Sequence, residues 1–536
     1  MTNAAFCKVL FVVTLCTLAG FGRSDDVESE LFYVPASEIV SSVTFAIGLI
    51  RQVTSILSEF AGAFGDFRLS TAVSDCQDLM DFSLDQLSWT LSASDNPNSQ
   101  GNATGNLGAD MKTWLSGALA NQETCREGFD GTNGIVKNLV SGSLDQVTSL
   151  VYDILSAVKP TPNSPPKGST AGGIKGGGGS GGSGKDGGKG GGGRKLRAID
   201  QFPDWVKHHD RKLLQTANSS GADAVVSADG TGHFMTIKDA VAAAPDYSAK
   251  RYVIYIKKGV YNEYVDISKK KWNIMIIGDG IDVTVITGNR NFIDGWTTYH
   301  SATFAVKGRE FIARDVTFQN TAGPEKHQAV AFRSDSDLSV LYRCAIRGYQ
   351  DTLYAHTQRQ FYSECQITGT VDFIFGDATL VIQNSIIRAR KGLPNQKNTI
   401  TAQGRKEPVE NTGFSIQYCN ISAEGDVLNS LNSTPTYLGR PWKLYSRTVI
   451  MQSYISKAIH PEGWLAWNGD FALDTLYYGE YMNFGPGSGL GARVKWPGYH
   501  VLNNSSQPNN FTVSQFLLGN TWLPSTGIRF TSGLGD

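Results

Sequence analysis

Little in this chain of 536 residues is extreme, and its scarcities narrow what it can be. Charge imbalance is lacking: 48 basic against 49 acidic residues leave a net −1, so nothing global points to nucleic acid as a partner. Histidine is sparse, with eight in all, and His208, His209, His233, His300, His327, His356, His460 and His500 fall at no ligand spacing, so neither a metal nor another cofactor is expected. Cysteines number only seven, Cys7 and Cys16 falling in the N-terminal segment, and this usage agrees with export. Past the N-terminus no apolar run approaches membrane-spanning length by this reading, so the mature form is expected not to span a membrane and to be a monomer. The one apolar run, Val9 to Phe21 after the single basic Lys8, is short for a span. It reads as a secretory signal within residues 1–24, with small residues Ala19, Gly20 and Gly22 for cleavage. Left uncleaved, the same run would be an anchor.

The length is too great for one compact core, which implies at least two domains. Between residues 36 and 159 apolar residues recur at helical spacing in four segments: Ser41 to Phe60, Ala72 to Leu91, Met111 to Phe129 and Ile135 to Val158. Short polar joints such as Ser94-Asp95-Asn96-Pro97 separate them, the pattern of an all-α four-helix bundle. Cys76 and Cys125 lie in the second and third segments and are candidates for a bridge, a link that would stabilise the bundle by about 3–4 kcal/mol.

Residues 160–214 are a flexible tether rich in glycine, typified by Lys175-Gly-Gly-Gly-Gly-Ser-Gly-Gly-Ser-Gly-Lys185, which cannot bury a core. Its Gly178-Gly179-Ser180-Gly181-Gly182 matches a nucleophile-elbow spacing but lacks the strand and helix that motif requires. Basic clusters follow, Arg194-Lys195-Leu196-Arg197 and Arg211-Lys212-Leu213-Leu214. In an exported chain the second reads as a protease processing site, since a new compositional regime begins just after it.

Residues 221–520 change character. Short apolar runs recur at Tyr252–Ile256, Ile274–Ile277, Phe311–Phe318, Leu338–Tyr342, Phe361–Ile367, Leu380–Ile387, Gly413–Cys419 and Thr448–Tyr454, punctuated by Gly, Asn, Asp and Ser. Long helices are absent after Ile237–Ala244. A repeat of 20 or more residues suits a solenoid of stacked β coils, with a β-sandwich as the competing reading. Two acids stand out on this background: Asp351 in Gln350-Asp351-Thr352-Leu353 and Asp372 in Asp372-Phe373-Ile374-Phe375-Gly376. Acids among apolar neighbours are costly to bury unless paired or used. Twenty-one positions apart, they fall about one coil from each other, which puts them roughly 5 Å apart on neighbouring rungs. Two carboxyls in unlike surroundings divide labour, one ionised and one protonated. Cys344 and Cys365 are spaced alike and are candidates to stack and pair, which would leave Cys419 free. Sequons at Asn102, Asn218, Asn420, Asn432, Asn503, Asn504 and Asn510 fit a secreted glycoprotein.

At this point the residues resemble a known family. Gly259-Val260-Tyr261-Asn262-Glu263, Gln328-Ala329-Val330-Ala331-Phe332, the two aspartate motifs and Leu438-Gly439-Arg440-Pro441-Trp442, in that order, are similar to plant pectin methylesterases (pectinesterases). Ser74-Asp75-Cys76-Gln77-Asp78-Leu79 and the stretch from Trp114 to Cys125 resemble the inhibitor-like pro-region of the same enzymes, although the earlier cysteine pair usual there has no counterpart between Cys16 and Cys76. The resemblance implies a right-handed parallel β-helix. It implies release of methanol from methyl-esterified homogalacturonan in the extracellular cell wall, and a pro-region or separate inhibitor bundle as partner.

The resemblance also assigns roles. Asp372 is the nucleophile, and a carboxylate so used must be ionised, oriented and kept from water. Arg440 pairs with it, a guanidinium fork suiting a carboxylate. Asp351 is the general acid and then the base, which needs a raised pKa. Gln328 and Gln350 stabilise the oxyanion as neutral donors. Thr298, Tyr299, Tyr354, Phe375, Tyr437, Trp442 and Trp467, with Gln328 and Arg440, contact the sugar chain, flat rings packing on pyranose faces. Two other readings compete: a β-helix glycosidase or lyase on the same polymer, and a non-catalytic wall-binding or inhibitor protein.

Overall fold

The computed structural model describes residues 36–60, 65–95, 104–132, 134–158, 221–428 and 434–535. The signal-like segment, the tether and Arg211-Lys212-Leu213-Leu214 lie outside them. The first part is four helices, α1 Ala36–Phe60, α2 Phe67–Asp95, α3 Leu107–Gly128 and α4 Gly134–Ala157. They begin up to five residues before the apolar periodicity does. For α3 the reason is a cap: the Asn106 side chain accepts from the Ala109 N–H at 3.1 Å, which starts the helix at Leu107, ahead of the apolar periodicity. Val43, Ile50, Leu79, Trp114 and Val147 share one core, and Cys76 is bridged to Cys125 with Cα atoms 4.5 Å apart.

One sequence expectation is corrected here. Among the described residues one helix, Glu38–Phe60, is long and apolar enough to cross a membrane. Within the fold it is a bundle helix: Val43, Ala46, Ile50, Val53 and Leu57 face the shared core, while Arg51, Gln52, Ser55 and Glu59 face outward.

The second part is a parallel β-helix built from sheets of eleven, seven and eight strands. The chain crosses each sheet once per coil, and every coil pairs in parallel with the next. The apolar runs Phe311–Phe318, Phe361–Ile367 and Leu380–Ile387 each prove to be two strands meeting at a corner. The corner residues, Asp315, Glu364 and Asn384, have φ of 56°, 54° and 51°, a left-handed conformation that turns the chain from the eleven-stranded to the eight-stranded sheet. Periodicity cannot reveal a single such residue, because the apolar side chains continue on both sides of it. Inside, in-register pairing stacks like on like: Phe318, Ile346, Ile367, Ile387, Ile421 and Ile455 form one column, each fully buried. Each is worth about 1.5–3 kcal/mol by burial. On the outside of the eleven-stranded sheet, Val513, Leu517 and Trp522 of the C-terminal helical turns complete a second apolar layer.

The expected Cys344–Cys365 bridge is also corrected. The two lie on adjacent coils as the spacing predicts, but both are free, buried thiols, as is Cys419. In-register parallel strands project side chains side by side at the strand spacing, about 4.8 Å, whereas a bridge draws Cβ atoms to about 3.8 Å. Each sulfur instead donates to a carbonyl of its own coil, Cys344 Sγ to Tyr342 O at 3.5 Å and Cys365 Sγ to Ser363 O at 3.4 Å.

The bundle lies on the seven-stranded sheet. Val330, Tyr354, Phe375 and Ala402 of that face belong to the same apolar cluster as the bundle core.

Candidate active site

A cavity of about 350 Å³ opens between the bundle and the middle of the seven-stranded sheet. Asp351 precedes the strand Leu353–Ala355 and Asp372 precedes the next coil's Ile374–Gly376. Leu353 pairs with Ile374 and Tyr354 with Phe375, and the Asp351 N–H donates to Val371 O at 3.1 Å. Register therefore sets the two acids side by side. Both have left-handed φ, 61° and 51°, a conformation non-glycine residues adopt at a cost and often at functional sites. Gly376 closes the second motif because a Cβ there would sit 2.0 Å from Ala355 O on the coil below.

The two carboxyls have unlike surroundings. Asp372 is clamped: Arg440 Nε donates to Oδ1 at 2.8 Å and Nη2 to Oδ2 at 2.6 Å. Thr399 Oγ1 donates to Oδ1 at 2.6 Å, and the Asp372 N–H donates to Thr399 Oγ1 at 2.9 Å. These charge-assisted bonds suit an anion. Asp351 lacks such a clamp, and burial first, then the charge of Asp372, push its carboxyl well above the ordinary range, with Arg440 opposing. One carboxyl is thus anchored by a guanidinium and a hydroxyl, and the other is biased by its surroundings toward the protonated form.

Gln328 and Gln350 line the same cavity, as do Thr298, Tyr299, Tyr354, Phe375, Trp442 and Trp467. Tyr354 stacks on Phe375 with centroids 4.1 Å apart, Trp442 meets Phe375 edge-on at 5.9 Å, and Arg440 lies 4.3 Å from the Trp467 ring centre. Tyr437 is the exception among the expected contacts: it is buried one strand further along, against His460 at 4.9 Å, and does not line the cavity.

Sequence reading misses three groups. Thr399, the second anchor of Asp372, sits in an Asn398–Gln403 strand with no motif to mark it. Arg333, Asp335 and His356 form a buried network beneath Tyr299: Arg333 Nε donates to Asp335 Oδ2 at 3.0 Å, its guanidinium lies 3.4 Å from the Tyr299 ring centre, and His356 is hydrogen-bonded to Asp335. The third group comes from the bundle. Thr124, Glu127 and Gly128 of α3 line the cavity, and Thr124 Oγ1 is hydrogen-bonded to His356 Nε2 at 2.8 Å. Only the fold brings together residues so far apart in the chain.

Comparison with known proteins agrees with this geometry. A family model described as Pectinesterase matches residues 223–520, and one described as Plant invertase/pectin methylesterase inhibitor matches residues 4–156. The chain is 61% identical to "Probable pectinesterase/pectinesterase inhibitor 44" of Arabidopsis thaliana, with 100% of each chain covered. It is 59% identical to "Pectinesterase/pectinesterase inhibitor PPE8B" of Prunus persica, covering 98% of this chain and 97% of that one. Among solved structures, the pectin methylesterase from carrot is 54% identical with a TM-score of 0.58, over 59% of this chain and 99% of its own.

Proposed function

The chain belongs to the pectinesterase family, and from that premise we propose that it removes methyl esters from homogalacturonan by aspartyl catalysis in the plant cell wall. The observation that carries the mechanism is the asymmetry of the two acids: Asp372 held by Arg440 and Thr399, Asp351 unclamped and pushed toward its protonated form on the adjacent coil.

The Asp372 carboxylate attacks the ester carbonyl carbon, and the carbonyl oxygen becomes an oxyanion that the Gln328 and Gln350 amides stabilise. Asp351 gives its proton to the departing methoxide, so methanol leaves and an acyl-enzyme anhydride forms on Asp372. Asp351, now a carboxylate, takes a proton from water as the water attacks the anhydride. The adduct collapses, the polymer leaves with a free carboxyl whose proton passes to solvent, and Asp372 returns as the carboxylate and Asp351 as the acid. Neutral glutamines fit the task, since a cation at the oxyanion would also clamp the anionic product.

Secretion through residues 1–24 and cleavage near Leu214 by a processing protease complete the reading, and the presence of Thr124 and Glu127 in the cavity supports removal of the bundle before a polymer binds. The decisive assay measures methanol against new reducing ends on methyl-esterified pectin, using the fragment beginning at Gln215 with and without the bundle. Methanol alone is expected. Reducing ends without methanol would mean a glycosidase or lyase, and unchanged methanol release by Asp372→Ala would remove the nucleophile. Protein extracted from the wall is expected to begin near Gln215.

A further inference from the structure

The two parts of the chain carry opposite charge. Residues 36–158 hold 14 acidic and five basic residues, and residues 221–536 hold 27 acidic and 30 basic. The contrast concentrates where they meet. Lys269 is paired with Asp81 at 2.8 Å and Asp85 at 2.9 Å. Lys307 is paired with Asp78 at 2.6 Å, Arg359 with Asp110 at 2.6 Å, and Lys406 with Glu123 at 2.7 Å. Lys443 is paired with Glu123 at 2.7 Å and also with Glu127. Burial pushes Glu123 up, but Lys443 and Lys406 outweigh it and hold that carboxyl at about 2.

The five cations are not scattered. Each follows the seven-stranded sheet on its own coil: Lys269 after Val265–Ile267, Lys307 after Phe304–Val306, Arg359 after Leu353–Ala355, Lys406 after Asn398–Gln403, Lys443 after Thr436–Gly439. These are the first, second, fourth, sixth and seventh strands in the sheet's order. The row therefore runs about 30 Å along one edge of the catalytic face, at about 4.8 Å per coil. On the fifth coil, which carries Asp372, the residue after the strand is the acid Asp377. On the third coil the acid Asp335 follows Phe332–Ser334 in the same way, so the row is interrupted on two coils, one of them the nucleophile's. Lys307 and Arg359 keep catalytic-domain partners, Asp266 at 3.2 Å and Asp337 at 2.6 Å. The ion pairs of Lys269, Lys406 and Lys443 among the described residues are all with the bundle.

We propose that this row is a carboxylate track that grips runs of free uronate on the enzyme's own de-esterified product, and that the bundle shuts it by setting its carboxylates where the polymer's would lie. The inference rests on the esterase reading, in which each turnover adds one negative charge to the polymer beside the track. An edge rich in cations on either side of the nucleophile, with an acid at its own coil, holds the charged chain without clamping it at the reacting ester. Product regions then tether the enzyme next to esters still to be cleaved.

The test is binding to immobilised polygalacturonate. The catalytic fragment is a sound vehicle, because the carrot structure, matched over 99% of its own length, corresponds to 59% of this chain and stands as a β-helix without a bundle. The fragment should bind, and salt should release it. K269Q/K406Q/K443Q should bind about tenfold more weakly, three charge contacts being lost. The intact chain should bind as weakly as that variant, and D81N/D85N/E123Q in the intact chain should restore binding. Unchanged affinity in the triple lysine variant overturns the track, as does an intact chain that binds as tightly as the fragment. A fragment that binds through these lysines yet frees no methanol from esterified pectin sinks the esterase reading and leaves the track standing.

Discussion

The β-helix and the bundle each bury an apolar core but are tied to function in opposite ways. In the β-helix, position is set by repetition: each coil copies the register of the last, so a side chain on one rung is placed by the stacked column of Phe318, Ile346 and Ile367 beneath it. The bundle meets the catalytic face through a shared apolar cluster flanked by ion pairs that salt, pH or a polyanion can replace. Under the proposed function, the chemistry sits on the part held in register coil by coil, and control sits on the part that processing removes.

The comparison breaks most visibly on the coil side. Asp372→Asn keeps the shape, removes the proposed nucleophile, and is expected to lower kcat by about 10³-fold or more with the melting of the β-helix little changed. Arg440→Lys exchanges a two-pronged clamp for a point charge and is expected to cost about 10²-fold. Steady-state methanol release with a parallel thermal melt checks both. An Asp372→Asn protein that melts much earlier would mean that the acid holds the coil together.

On the bundle side the matching perturbation is Cys76→Ser. It opens a link between residues 49 apart, a loss of about 3–4 kcal/mol to the helical part. The β-helix transition should stay in place, and the intact chain should gain methanol release as the loosened bundle leaves the cavity. Loss of both transitions together would show that the two parts fold as one unit.

Legibility in the sequence follows the same division. Asp351 and Asp372 can be paired from their spacing alone, because a solenoid turns 21 residues along the chain into a contact between rungs. The same logic fails for Cys344 and Cys365: adjacency on neighbouring coils holds, but parallel side chains do not converge enough to bond. Thr399 is invisible in the sequence because a threonine on a strand is ordinary until its hydroxyl is found on Asp372. Tyr437, close to Arg440 in the sequence, packs against His460 outside the cavity. Asp78, Asp81, Glu123 and Glu127 lie on bundle helices. Their partners lie on a different domain, and no local pattern records that.

A smaller effect comes from pH acting on the interface. Burial pushes half-buried Glu127 up, against the pull of Lys443, so docking favours its protonated form. That contribution is full below the ordinary glutamate pKa of about 4.3 and fades as pH rises through the raised value. Glu123 runs the other way: held at about 2, it supports docking above about 4.3 and loses that support as pH falls toward 2. Lys443, lowered by burial but raised further by both glutamates to about 12, stays charged throughout. Docking should therefore be firmest in a mildly acidic window and loosen above it, read as methanol release by the intact chain against pH. Glu127→Gln should abolish the loosening at higher pH and leave the acid side unchanged. Identical profiles for both proteins would remove Glu127 from the switch.

The smallest expected effect isolates the sulfur chemistry of the two parts. Burial, then the neighbouring Cys365, push the Cys344 thiol well above its ordinary range, and both lie in the sealed interior, so neither should react with an alkylating reagent while the coil is folded. Cys344→Ala removes one buried sulfur and its weak hydrogen bond to Tyr342 O, a change of about 1 kcal/mol. A thiol reductant should then leave the β-helix melt untouched in the parent and in the variant, and lower only the bundle transition, whose Cys76–Cys125 link it opens. A β-helix transition that falls on reduction would mean that Cys344 and Cys365 do bond in the folded protein, and the geometric argument that keeps parallel rungs apart would fail with it.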